Sequence, residues 1–155
     1  MIVLAARVHA EHPQVYLAGP WFAPGEPERL GALENLMNDM GISYYSPRLD
    51  GIDLTPDATD ADRDAVFADN TAHLKTAKLV LAVVDDYDTG TIWETGMAFG
   101  REIPIAYYME TLKTGETFNV MLAKSAVAVL EDLDQTRQFL ADPTSKDFTY
   151  HGAIR

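Results

Sequence analysis

The chain has 155 residues, enough for one domain with a real core, and its 24 acidic against 12 basic side chains give a formal charge of −12. That balance argues against a nucleic-acid or anionic-membrane surface, which wants a basic face, while leaving neutral ligands such as single nucleosides open. The absence of cysteine removes disulfides, thiolate nucleophiles and zinc–thiolate sites.

No apolar run approaches the roughly 18 residues needed to span a bilayer. The start Met1-Ile2-Val3-Leu4-Ala5-Ala6-Arg7 lacks a basic region ahead of its apolar stretch, so no signal peptide is read and a cytoplasmic location is expected. Residues 1–14 read as an extension able to add an edge strand, and residues 15–155 as a single domain without internal repeat. Val15-Tyr16-Leu17-Ala18 is the first core strand, ending in the turn Gly19-Pro20-Trp21-Phe22-Ala23-Pro24-Gly25. From Glu26 to Met40 the spacing predicts a helix: Pro27 suits its first turn, Leu30, Leu33, Leu36, Met37 and Met40 form one stripe, and Gly41 ends it.

Ile42-Ser43-Tyr44-Tyr45 is a second strand, stopped by Ser46-Pro47, and residues 48–61 read as a loop long enough to be functional. A helix from Asp62 to about Ala77 places Val66, Asn70 and Leu74 in one stripe. Leu79-Val80-Leu81-Ala82-Val83-Val84 then reads as a strand buried on both faces. After it the chain turns through Asp85, Asp86, Asp88 and Gly90 into a short helix expected to carry Glu94 in its first turn. Unpaired helix N–H groups there would favour the ionised carboxylate, with Asp88 pulling the other way. A fourth strand covers Ile103–Met109, with Pro104 tolerable near its start. A polar loop follows from Glu110 to Thr117, then a helix over Asn119–Lys124, a fifth strand over Ala126–Leu130 and a last helix over Glu131–Ala141.

Strands alternating with helices imply a parallel sheet with right-handed crossovers. Five of them fit a flavodoxin-like, doubly wound α/β sheet in the order 2-1-3-4-5 with helices on both faces, whose crevice lies at the carboxyl ends of strands one and three. The loops 19–25 and 85–90 meet there, drawing Glu94, Asp88, Tyr16 and Trp21 around one pocket. The first loop is neither a dinucleotide fingerprint nor a P-loop, and Trp21 and Phe22 suit it to stack on a flat ring rather than hold a phosphate. A carboxylate in this position suits attack at an anomeric carbon, where an anion stabilises oxocarbenium character and a covalent glycosyl ester forms. The leaving group then needs a proton from a neighbouring Asp or Tyr, and Tyr16 is placed to orient Glu94.

Three stretches resemble the nucleoside 2-deoxyribosyltransferases: Val15-Tyr16-Leu17-Ala18-Gly19-Pro20-Trp21-Phe22, Asp88-Thr89-Gly90-Thr91-Ile92-Trp93-Glu94-Thr95-Gly96-Met97-Ala98-Phe99-Gly100, and Phe118-Asn119-Val120-Met121. The resemblance implies that Glu94 takes the 2-deoxyribosyl group, Asp88 binds sugar hydroxyls and Tyr16 positions Glu94. It also implies that Gly19, Trp21 and Phe22 line the base pocket, and that Asn119 with Met121 reaches the sugar's 5′ end in a neighbouring subunit. The implied substrates are deoxyribonucleosides and free nucleobases. No cofactor or metal is implied, and the implied assembly is a homo-oligomer with a dimer as the smallest active unit, a hexamer being the alternative left open. The ending Tyr150–Arg155 is similar to the family's, whose terminal carboxylate lies near the site.

Two departures stand out. Where the family carries an aspartate that helps protonate the leaving base, this chain has Asn70, which leaves the acid to Asp69, one residue earlier and about 100° round the helix, to Asp88 or to a relayed water. The family's base-contacting glutamine has no counterpart, leaving Asp50 or Arg48 in its place. The rival inside the fold is an N-glycosidase acting on nucleosides or nucleoside 5′-monophosphates. Outside it stand a non-catalytic nucleotide sensor and a magnesium site at Asp85, Asp86 and Asp88. The four histidines, His9, His12, His73 and His151, have no metal-site spacing.

Overall fold

The computed structural model describes residues 13–155. The extension proposed for residues 1–14, and with it His9 and His12, therefore lies almost wholly outside the described residues. The sheet has five strands in the order β2-β1-β3-β4-β5: β1 Val15–Ala18, β2 Tyr44–Tyr45, β3 Leu79–Val83, β4 Ile105–Tyr108 and β5 Ala128–Leu130. All neighbouring pairs are parallel, as continuous apolar runs buried on both faces require. The helices are α1 Glu26–Asp39, α2 Pro47–Asp50, α3 Asp60–Thr76, α4 Thr89–Gly100, α5 Val120–Ser125 and α6 Leu133–Ala141.

Alternation along β1 divides the core. Val15 and Leu17 face a cluster with Leu30, Leu33 and Met37 of α1 and Phe139 and Leu140 of α6. Tyr16 and Ala18 face the opposite cluster, with Leu74 of α3 and Ala98 of α4. Each fully buried leucine here contributes roughly 2 kcal/mol. Gly19 is fixed by close packing, since a Cβ there would lie 2.7 Å from Leu30 Cδ2 and 3.2 Å from Val83 Cβ.

The departures from the sequence reading that bear on the sheet and the site fall into three groups. The span 48–61 is not all loop: Pro47 opens the single turn of α2, and α3 begins at Asp60, two residues early, because Thr59 and Asp62 form a reciprocal capping box. The second, fourth and fifth strands are shorter than expected, with Ile42, Ser43, Ile103, Pro104, Met109, Ala126 and Val127 outside them, and a 3₁₀ helix, Glu110–Thr114, forms inside the span read as a polar loop. The third concerns Glu94, which lies in the second turn of α4 because Asp88 caps the helix and Thr89 is its first residue. Among the described residues no helix is long and apolar enough to cross a membrane.

Candidate active site

The site is built on the exits of β1 and β3, the switch point of the sheet. After β3 the chain turns through Tyr87, whose φ of 49° is left-handed. It enters α4 through Asp88, whose Oδ2 accepts from Thr91 N at 2.8 Å and Thr91 Oγ1 at 2.9 Å. Thr91, Thr95 and Ala98 bury one side of α4 against the sheet, and Glu94 is carried at its flank, beyond the reach of the first-turn N–H groups.

Glu94 keeps partial exposure, but its Oε2 is sealed from solvent and has no hydrogen-bond partner. The Tyr16 hydroxyl, on a fully buried ring, is likewise without a strict hydrogen bond. The two groups nonetheless act on each other. Burial raises the Glu94 carboxyl to about 7, the Tyr16 hydroxyl pulls it down, and the negative charge of Asp88 pushes it up again. Burial and then Glu94 hold the Tyr16 phenol well above its ordinary value, so it stays neutral and able to donate. The expected bias of Glu94 toward ionisation by the helix end is therefore reversed, because desolvation outweighs a dipole that acts only over the first turn.

Tyr45 extends this centre. It is the parallel partner of Tyr16, with ring centroids 5.6 Å apart, and its other face stacks on His73 at 3.9 Å. Its hydroxyl lies 2.8 Å from Asp69 Oδ2 and 2.9 Å from Asn70 Oδ1. Asp69 and Asn70 thus converge on one atom instead of facing apart. The sequence reading missed Tyr45 and the part played by His73. The available signals were the i, i+4 spacing of Asp69 and His73 and the neighbouring tyrosines of two adjacent strands.

Other candidates are engaged differently. Asp50 Oδ2 accepts from Ser46 N at 2.8 Å. Arg48 turns inward to pair with buried Glu34, which also accepts from Ser46 Oγ at 2.7 Å. In the first loop Phe22 N and Ala23 N each donate to Glu26 Oε2 at 2.8 Å. Trp21 packs toward the α1 cluster with its ring 4.7 Å from that of Phe22, which is 77% exposed. Asn119 caps α5, accepting from Met121 N at 2.9 Å and Leu122 N at 3.3 Å, and Met121 is 74% exposed. The C-terminal segment runs beside it, Phe118 N donating to Ala153 O at 2.9 Å and Val120 N to Arg155 O at 3.2 Å.

The acidic turn proposed as a magnesium site has other partners. The Arg29 guanidinium lies 3.6 Å from Asp85 and 3.7 Å from Asp86, Thr111 N donates to Asp85 at 3.0 Å, and Asp88 caps α4. Among the described residues no group of three or more His, Asp or Glu side chains is arranged to hold a metal ion.

The strand order 2-1-3-4-5 makes the chain a flavodoxin-like α/β protein, with a part-buried carboxylate beside a neutral tyrosine at its switch point. It belongs to the nucleoside 2-deoxyribosyltransferase family, whose model matches residues 15–124, and its activity is of the nucleoside deoxyribosyltransferase type. A solved 2-deoxyribosyltransferase from the psychrotolerant bacterium Bacillus psychrosaccharolyticus is 28% identical with a TM-score of 0.72, over 79% of this chain and 89% of that one. A conserved protein from Enterococcus faecalis V583 shares the fold, at 17% identity and a TM-score of 0.67 over 83% of this chain and 97% of that one. No curated protein sequence matches the chain.

Proposed function

We propose that the protein transfers the 2-deoxyribosyl group of a 2′-deoxyribonucleoside to a free purine or pyrimidine base by double displacement. Glu94 attacks C1′ as the donor base leaves, forming a glycosyl ester. An acceptor base then attacks from the opposite side, so configuration is retained. The observation that carries this reading is the sealed, unpartnered Glu94 Oε2 facing a neutral Tyr16 at the sheet's switch point. A buried acid without a structural partner is costly, and such cost collects where chemistry is done.

The remaining roles follow the family. Asp88 binds sugar hydroxyls beside the helix mouth it caps, and Trp21 and Phe22 with Gly19 frame the base, while at the two departures from the family Asp50 and Asn70 meet its polar edge. Asn119 and Met121 serve the 5′ end in a second copy of the chain. The arrangement of α5 supports that last role. Met121 and Leu122 line a groove of about 280 Å³ with Ile92, Thr95, Gly96 and Phe99 of α4. Ile92 and Gly96 lie about 200° round the helix from Glu94. Within one chain α5 therefore sits along the far side of α4, while exposed Trp93, Phe99, Met121 and Phe67 offer apolar surface for a homo-oligomer.

The 5′-monophosphate hydrolase is the weaker alternative, because the first-loop N–H groups of Phe22 and Ala23 are already taken by Glu26. Incubation with thymidine and free adenine, followed by chromatography, tests the reading. Formation of deoxyadenosine in the presence of EDTA is expected, and release of thymine alone at the same rate with or without adenine would favour the hydrolase.

A further inference from the structure

The position that holds the family's acid is an amide here, and an amide cannot hand a proton to a leaving base. Base departure breaks the C1′–N bond and leaves the electron pair on a ring nitrogen, so a proton must come from elsewhere. Asp69 lies at this same point of the site. Its Oδ2 is 2.8 Å from the Tyr45 hydroxyl, which stands 2.9 Å from Asn70 Oδ1. A hydroxyl has one proton, so it can donate to only one of them. Given to Asp69, it leaves the Asn70 amide free to turn its NH2 toward the phenol oxygen.

The opposite side of Asp69 is fixed as well. His73 Nδ1 donates to the Asp69 carbonyl at 2.8 Å and lies 3.5 Å from Asp69 Oδ1. The imidazole stacks on the Tyr45 ring, which in turn lies against Tyr16. The Asp69 side chain stays one-third exposed, so its carboxyl reaches solvent rather than being sealed in the core. Its charge is felt at Tyr16, and the charge of Glu94 is felt at Tyr45. Two carboxyl groups thus flank one pair of stacked tyrosines, one of them sealed and unpartnered, the other held on both sides and open to solvent.

We propose that Asp69, gripped by Tyr45 and His73, is the group that exchanges a proton with the departing and arriving bases in place of Asn70. This rests on the deoxyribosyl-transfer reading above. The step balances with Asp69 entering as the carboxylic acid. As C1′–N breaks and C1′–O to Glu94 forms, the base nitrogen takes the carboxyl proton and the free base leaves neutral. The acceptor base returns a proton to the carboxylate as its own nitrogen bonds C1′, so a full exchange consumes none. Tyr45 and His73 are positioning residues that hold the carboxyl toward the base.

The test compares donors that differ in their need for a proton. One pair is 2′-deoxyguanosine and 7-methyl-2′-deoxyguanosine, whose base is already cationic. The other is thymidine and 5-fluoro-2′-deoxyuridine, whose base is the better leaving group. Single-turnover base release is measured for the native protein and for Asp69→Asn, using the pair that the native protein cleaves faster. Asp69→Asn is expected to slow the proton-requiring donor about 100-fold more than its partner. Tyr45→Phe is expected to move the ratio in the same direction by less, with circular dichroism unchanged for both variants. Equal slowing of both donors, or no slowing, overturns the proposal and leaves the transferase reading standing. Absence of base release from all four donors by the native protein overturns both.

Discussion

The two faces of the sheet each bury acidic side chains, and they treat them in opposite ways. On the α1 side Glu34 and Glu26 are 3% and 7% exposed. Glu34 accepts from Ser46 and pairs with Arg48, and Glu26 accepts from two backbone N–H groups. On the α3–α4 side Glu94 keeps an oxygen sealed and unpartnered, with the Tyr16 phenol and the Asp88 charge acting on it. A buried carboxylate whose lone pairs are used holds the fold together, whereas one left short of partners raises its own pKa and is available for chemistry.

The sharpest way to break this contrast is to neutralise each glutamate. Glu94→Gln should reduce base exchange by roughly 10³- to 10⁶-fold, as expected for loss of a nucleophile, while leaving the fold intact. Its stability should rise. Because burial lifts the carboxyl from 4.5 to about 7, the folded state holds a proton that the unfolded state has already lost, and native stability falls as pH climbs through that window. Thermal unfolding well above neutral pH should find the Gln variant more stable by about 2 kcal/mol, and the two should agree in strong acid. A Glu94→Gln variant that is less stable at every pH would make Glu94 another structural acid.

Glu34→Ala should do the reverse. It strands Arg48 and the Ser46 hydroxyl, costing about 2 kcal/mol after allowance for the partial exposure of Arg48. A urea-unfolding midpoint should record that loss, with kcat per folded molecule nearly unchanged. Glu26→Ala should cost less, about 1 kcal/mol, by releasing Phe22 N and Ala23 N. Its kinetic mark should be a raised KM for the base, because the loop carrying Trp21 and Phe22 loses its tether. Unchanged KM would separate that loop from base binding.

The smallest effect concerns pH. An ionised Glu94 is needed for attack, so with 7-methyl-2′-deoxyguanosine, whose base needs no proton to leave, kcat/KM should rise with pH along an acid limb centred near 7. The Tyr16 hydroxyl lowers the Glu94 pKa, so Tyr16→Phe should move that limb upward by about one pH unit. A limb that stays in place, or moves down, would show that Tyr16 does not act on the charged carboxylate.

The sheet order was legible because each strand is a continuous apolar run between helical stripes, a pattern that fits a doubly wound parallel sheet. Glu94 was legible from its place after the central strand. Its environment was not, since the turn length that puts it beyond the first helical turn depends on Asp88 capping through Thr91. The convergence of Asp69 and Asn70 was hidden for a related reason. Residues about 100° apart on a helix meet only when a third group, here the Tyr45 hydroxyl, stands between them, and the parallel register of Tyr16 with Tyr45 puts it there. The pairing of Arg48, offered with Asp50 as an alternative base contact, with Glu34 went unread, although an acid inside the stripe of Leu30, Leu33 and Met37 was a signal that a buried counter-ion was needed.

The central claim is that the Glu94 carboxylate becomes bonded to the sugar. Peptide mass spectrometry of protein incubated with a 2′-fluorinated deoxyribonucleoside, which slows breakdown of the ester, tests it most directly. The sugar mass should appear on the peptide containing Glu94 and be missing from Glu94→Gln. A label on Asp88 or Asp69, or steady base release with no labelled peptide at all, would contradict it.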